Sequence, residues 1–153
     1  MLKAVKQVEH PITRTIIAFQ MQFGFTKSEA IRINTHHAIT NEGLMIERQL
    51  AANGKDRLVP ILTQAQRTAL HDRQSLLGEK GGLTDFADEA VLVALYKADC
   101  LIQGLEPAAP YRSHYARTRY RQLANYHDEA AALQQLQVEL GVGKTARLRE
   151  LMA

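Results

Sequence analysis

The sequence predicts a mainly α-helical fold carrying one small antiparallel β-sheet. Three observations lead there. Apolar residues recur at helical spacing on either side of residues 35–61. Two capping boxes, Thr26 to Glu29 and Thr63 to Gln66, each announce a helix start. Between them the period breaks, and Asn53-Gly54 precedes the strand-like run Arg57-Leu58-Val59-Pro60-Ile61.

The elements follow in order. Ile12, Thr15, Ile16, Phe19 and Phe23 share one face of a helix over 11–23, with Pro11 in its first turn and Gly24 as its stop. Thr26 opens a short second helix that sends Ala30, Ile31 and Ile33 to the core. Asn41-Glu42-Gly43 is a turn signal, and Asn53-Gly54 a hairpin signal, so residues 35–61 are expected to hold two or three antiparallel strands. Pro60 confines the last of these to an edge or a strand end. Thr63 opens a helix to about Leu77, and Gly78 to Gly82 is a loop. A long helix is expected from Phe86 to Gln103, with Ala90, Val91, Ala94, Leu95, Ala98 and Leu101 on one face. Pro107 to Pro110 is a linker, followed by helices over 113–125, 128–140 and 144–152.

Composition narrows the class. The 153 residues fit one domain, 1–153, long enough to bury a core. Hydrophobic residues make 46% and charged residues 23%, which is globular rather than disordered or fibrous. No apolar run approaches the ~20 residues that span a bilayer. The stretch Met1 to Val8 has two lysines and no apolar segment of signal-peptide length. A single cysteine, Cys100, excludes an internal disulfide framework and points to the cytoplasm. The net charge is only +3. Its distribution says more: Arg112, Arg117, Arg119 and Arg121 lie among three tyrosines with no acid between Tyr111 and Arg121. Arginine forks interleaved with aromatics suit phosphate backbones. A solvated helix face, or for Arg117 and Arg119 pairing with Asp128, Glu129 or Glu139, is the alternative.

Other motifs fail on their geometry. Gly143-Lys144-Thr145 resembles the end of a phosphate loop, but Val138 stands where that loop needs a glycine. His36 and His37 on a strand point to opposite faces and cannot share a metal. His10, His71, His114 and His127 have no ligand spacing to Cys100, so neither a metal nor a cofactor is expected. Asp85 and Asp88 fall in the first turn of the long helix, where acids complement the macrodipole. Phe86, Leu92 and Leu95 read as core.

Four segments together resemble a family. Phe23-Gly24-Phe25-Thr26-Lys27-Ser28-Glu29-Ala30-Ile31 is similar to a Gly-Leu-Arg-x-x-Glu-Ala/Leu-Leu segment, with Thr26 at the arginine. Asn53 to Ile61 resembles a Lys-Gly-x-Lys/Arg-x-Arg-x-Ile/Val-Pro-Ile hairpin, with Ala52 at the lysine that precedes its turn and Lys55 nearby. Gly104 to Ala116 resembles the stretch holding His-x-x-Arg-His: Arg112 falls on the arginine, Ala109 on the first histidine and Ser113 on the residue after the arginine. Leu140-Gly141-Val142 resembles Leu-Gly-His, with Val142 at the histidine. In this order, the four are those of the tyrosine recombinase, or phage integrase, catalytic domain.

The resemblance implies a tyrosine-recombinase-like fold that binds double-stranded DNA. It implies chemistry in which a tyrosine hydroxyl attacks a phosphodiester. Two arginines with lysine or histidine partners would hold the charge of the transition state. Here only Arg112 stands at its charged position; Thr26, Ala52, Ala109 and Val142 replace the others. The nucleophile's place, after Leu-Gly-His, falls near Leu151, and no tyrosine follows Tyr126. The expectation is therefore an inactive, integrase-like DNA-binding protein, accessory to a mobile element, with DNA contacts from Arg112, Arg117, Arg119, Arg121, Lys55 and Arg57. Two other outcomes are an oligomerisation module working through the C-terminal helix, or a relocated nucleophile at Tyr111, Tyr115 or Tyr120.

Overall fold

A computed structural model describes residue 8 and residues 10–153. Of the stretch Met1 to Val8, only Val8 lies within the described residues. Among the described residues 62% are helical, and two strands form an antiparallel sheet.

Helix α1 (Pro11–Phe23) is the central rod, packed against four other helices. It buries Ile16, Ile17, Phe19 and Phe23, and ends where Gly24 turns left-handed at φ 69°. The glycine is needed twice over. A Cβ there would stand 2.5 Å from a Leu140 methyl and 2.7 Å from the Tyr115 ring. Helix α2 (Lys27–Arg32) starts with the expected reciprocal capping box between Thr26 and Glu29.

The next segment differs from expectation. Residues 35–38 form one turn of helix, α3 (Thr35–Ala38), because the Asn34 side chain caps it at the amide of His36. His36 and His37 thus sit on a helical turn rather than a strand, and the described residues hold no cluster that could bind a metal. The sheet has two strands: β1 (Leu44–Ile46) pairs with β2 (Arg57–Val59), Met45 opposite Leu58. Asn53-Gly54 is not a two-residue hairpin turn. It lies in the longer loop 47–56, whose base is closed by Asp56 accepting from the Arg48 amide at 2.6 Å and from its guanidinium at 3.1 Å. Pro60 ends β2, as expected of a proline that cannot donate to the ladder.

Helix α4 (Gln64–Leu77) begins at the second capping box. A 3-10 turn, Gly78–Lys80, then lies in the glycine loop, and a second, Leu83–Asp85, follows it. Helix α5 (Glu89–Ile102) is shorter than expected, and Leu92 is buried as expected of it. Leu92, Tyr96 and Cys100 enter the core, while Val91, Leu101 and Ile102 are 55%, 72% and 80% exposed. Phe86 lies outside the helix and is exposed, with the Lys80 ammonium 5.0 Å from its ring. Asp85 accepts from the Gly82 amide, so its carboxylate serves a turn rather than α5. Asp88 sits at the N-cap position.

Helices α6 (Arg112–Ala124), α7 (Glu129–Leu140) and α8 (Thr145–Met152) close the fold. Asp128 caps α7 through the Ala131 amide. Helix α8 folds back on α6 and α7 and buries Leu148 and Leu151. The C-terminal helix expected to dock on another subunit therefore spends its apolar face on its own chain. One buried cluster runs from Val8 to Leu151. No helix among the described residues is long and apolar enough to cross a membrane.

Candidate nucleic-acid interface

The four segments that carry the recombinase resemblance meet at one place. Glu29 stands in the first turn of α2, on its buried side. Arg57 reaches it from β2 and donates through both terminal nitrogens, at 2.6 and 2.8 Å. The two side chains are 1% and 3% exposed. Glu29 also accepts from the amides of Thr26 and Ala52, each at 2.8 Å. Burial would raise its carboxyl, but Arg57 and the two amides outweigh that and hold it down at about 2. Arg57 also donates through Nε to the Glu139 carbonyl at 2.9 Å, which ties β2 to the end of α7.

Arg112 completes this hub. Its Nε donates to the Gly24 carbonyl at 2.8 Å, and its Nη2 to the Leu140 carbonyl. Those are the free carbonyls at the ends of α1 and α7, so the guanidinium acts as a shared C-cap. Burial pulls its pKa down to about 10, with Glu29 opposing and Arg57 and Arg147 adding to the fall. The other matched positions carry no charge. The Thr26 hydroxyl accepts from the Glu29 amide. Ala109 and Val142 pack against the core, and Leu151 is buried in it. Ala52 contributes its amide, not a side chain.

A second buried charge, Glu139, stands on α7 next to Leu140. Glu139, fully buried, accepts from Arg119 Nε and Nη2, both at 2.9 Å, from Tyr115 Oη at 2.8 Å and from Gln135 at 3.1 Å. Burial and the adjacent Glu139 push the Tyr115 hydroxyl far above its ordinary range. For Arg119, the pairing alternative holds.

Helix α6 thus divides its arginines. Arg112 and Arg119, seven residues apart, face inward. Arg117 and Arg121, four apart, face outward. These two line a cleft of about 360 Å³ with Tyr120, Glu129, Leu133 and Arg149. Arg117 donates to the Ala153 carbonyl at 3.0 Å, and Arg121 is exposed. His114 nearby is held below its usual range, by burial first and then by these two arginines. Lys55 is exposed beside Gly141 to Gly143 at the C-terminal end of α7, whereas the outward arginines stand by its first turns.

Of the six positions expected to touch DNA, Arg57 and Arg119 lie in buried ion pairs, and Arg112 donates to main-chain carbonyls. Lys55, Arg117 and Arg121 remain at the surface. The relocated nucleophiles fare unevenly. Tyr111 is buried and donates to the Glu106 carbonyl; Tyr115 is buried on Glu139; Tyr120 lines the outward cleft. Sequence reasoning missed Arg73 altogether. It is fully buried on α4, donates to the Ile33 carbonyl and lies 4.4 Å from the centre of the Phe19 ring. Burial lowers its pKa to about 9.

No protein-family model matches this chain, and no curated protein and no solved structure matches it.

Proposed function

We propose that the chain is an integrase-like DNA-binding protein that does not itself transfer strands, working in the cytoplasm as an accessory or regulator of a mobile element. One observation carries the proposal. Segments 23–31, 52–61, 104–116 and 140–142, far apart in sequence, come together around Glu29, Arg57 and Arg112. A scissile phosphate needs preorganised donors left unspent, and removing one such donor typically lowers rates by ~10²–10³. The guanidiniums at this hub are spent on Glu29 and on main-chain carbonyls, and the positions around them are Thr26, Ala109 and Val142. That supports loss of strand transfer. Duplex binding falls to Lys55, Arg117 and Arg121, with Lys144 adding positive charge, while Arg147 and Arg149 pair with Glu150 and Glu129.

A gel shift with duplex DNA tests the binding half. Affinity falls as salt rises, with a log–log slope near −0.9 per phosphate neutralised. Each of Lys55→Ala, Arg117→Ala and Arg121→Ala reduces that slope by about one. No complex at low salt ends the reading. Incubation with nicked suicide DNA tests the other half: a covalent adduct on a denaturing gel would overturn it.

A further inference from the structure

Three helices build the outward cleft in the same way. Each gives residues about one turn apart, which share a face. Helix α6 supplies Arg117, Tyr120 and Arg121, and the start of α7 supplies Glu129 and Leu133. Helix α8 supplies Arg149 and Met152. The resulting cavity of about 360 Å³ has two unlike parts. In one, three guanidiniums are set against a single carboxylate. In the other, Leu133 is buried, Tyr120 and Met152 are half-buried, and the three make an apolar bed with one aromatic ring.

Unlike the guanidiniums of the hub, these are largely unspent. Among the described residues, Arg121 makes no hydrogen bond or ion pair, and the Tyr120 hydroxyl has no hydrogen-bond partner. Arg117 gives one N–H to the Ala153 carbonyl at 3.0 Å and keeps the rest of its fork. Arg149 approaches Glu129 only to 3.6 Å, with both side chains more than half exposed, a contact that contributes little. His114, one turn before Arg117, sits in their field: burial first, then Arg117 and Arg121, lower its pKa. We propose that this cleft is a binding site for a nucleoside phosphate, with the phosphate on Arg117, Arg121 and Arg149 and the base against Tyr120 and Leu133.

Each part of the cleft selects half of that ligand. Planar guanidinium forks match phosphate oxygens, and their excess over Glu129 calls for an anion. The bed calls for a flat apolar face, which every nucleobase has and which stacks on a tyrosine ring whatever the base. Inorganic phosphate would use the arginines and leave the bed idle. The same chemistry has two sources, a free mononucleotide or one nucleotide of a single strand. The site uses arginines also assigned to duplex DNA, but it needs neither a duplex nor Lys55, so the two readings can fail separately.

Titration calorimetry of the full chain at low salt with adenosine 5′-monophosphate tests the site. A Kd on the order of 100 µM is expected for a ligand this small in an open cleft. Adenosine and inorganic phosphate each bind about tenfold more weakly or worse. Arg121→Ala, at an exposed position, weakens the mononucleotide about tenfold with melting unchanged, whereas Lys97→Ala, exposed on α5, leaves it unmoved. Tyr120→Leu, which keeps the packing and loses the flat ring, also weakens it about tenfold, and Tyr120→Phe does not. Glu129→Gln tightens it a few-fold, because the cleft loses its one negative charge and Arg149 is released. A single-stranded oligodeoxyadenylate of about eight residues separates the sources. Tighter binding that the same variants weaken makes the strand the ligand; no gain makes it the free nucleotide. If neither the mononucleotide nor the strand binds, the proposal is overturned, even where a duplex shifts on a gel. Inorganic phosphate binding as tightly as the mononucleotide overturns it, since the bed then contributes nothing. Binding that survives Arg121→Ala intact puts the ligand elsewhere, and a phosphotyrosine peptide that outcompetes the nucleotide gives the cleft to a protein partner; each overturns it as well.

Discussion

Replacing Glu29 by glutamine removes one charge and almost no volume, and it isolates what the hub contributes. In the wild type, the carboxylate accepts four hydrogen bonds: two from Arg57 and one each from the amides of Thr26 and Ala52. Glutamine keeps one oxygen and turns an NH2 group toward donors. Arg57 is then left 3% exposed with no counter-charge. Breaking a buried pair in this way costs about 3–5 kcal/mol. At the ~2–4 °C per kcal/mol of a domain this size, the midpoint falls by roughly 6–20 °C.

The same quantity is reached independently from pH. The Glu29 carboxyl is held at about 2, against 4.5 for a free one. A depressed pKa stabilises the fold above the unfolded value and loses that contribution as pH falls through the folded one. The difference converts to about 3 kcal/mol, present above pH 4.5 and fading toward pH 2. Urea unfolding followed by circular dichroism, across pH 7 to pH 2, measures both. The wild type should lose stability through this window more steeply than Glu29→Gln, and the two curves should converge at its acid end. Adding Arg57→Met to Glu29→Gln removes the stranded charge, so the double variant loses less than the sum of its parts. A Glu29→Gln midpoint within a degree of wild type, or additive effects, would refute the account of the hub.

Three further outcomes follow from the geometry. Gly24→Ala strains a φ of 69° and drives a methyl into Leu140 and Tyr115, so thermal melting should show a loss of about 2–4 kcal/mol; Gly54→Ala, at φ 70° with open space around it, should lose only about 1 kcal/mol. At the second pair the two halves are unequal: Arg119→Met strands a carboxylate with no exposure and costs about 3 kcal/mol, while Glu139→Gln leaves a 14% exposed arginine that can turn toward water and costs less, as chemical denaturation will report. The Cys100 thiol is fully buried and raised by that burial, so a thiol reagent should label it only as fast as the chain opens, and mild urea should accelerate the reaction before global unfolding if α5 frays first.

What the sequence disclosed follows from how local each cause is. Both capping boxes, the Gly24 stop and the Pro60 strand end depend on residues within one turn, and each stands where it was expected. The strand expected from residue 35 failed because Asn34 caps a turn there, a side-chain bond that competes with the period. Helix α5 was legible as a helix, but its inward face was not. Two apolar rows run along it, and periodicity cannot say which one the rest of the chain covers; only the packing against α1 and α2 decides that. At the site, the arginines of α6 were visible as a cluster, yet their division was also present in the numbering. Positions 112 and 119 share one face, and 117 and 121 share the opposite one. Glu139, between Leu136 and Leu140 on the buried face of α7, was the acid that marked which face turns inward.

That division has a consequence for dissecting this protein. The inward charges hold β2, α6 and the ends of α1 and α7 in register, so removing them changes stability before it changes anything else. The outward charges carry little of the fold: substitutions at Arg121 or Lys55 should shift melting by no more than ~0.5 kcal/mol. Binding and folding can therefore be read from separate residues of the same short segments. A DNA affinity that tracks Arg121 and Lys55 while melting stays fixed belongs to the surface. An affinity that falls only with Arg112 or Arg57, in step with melting, belongs to the integrity of the hub and gives no support to a phosphate contact there.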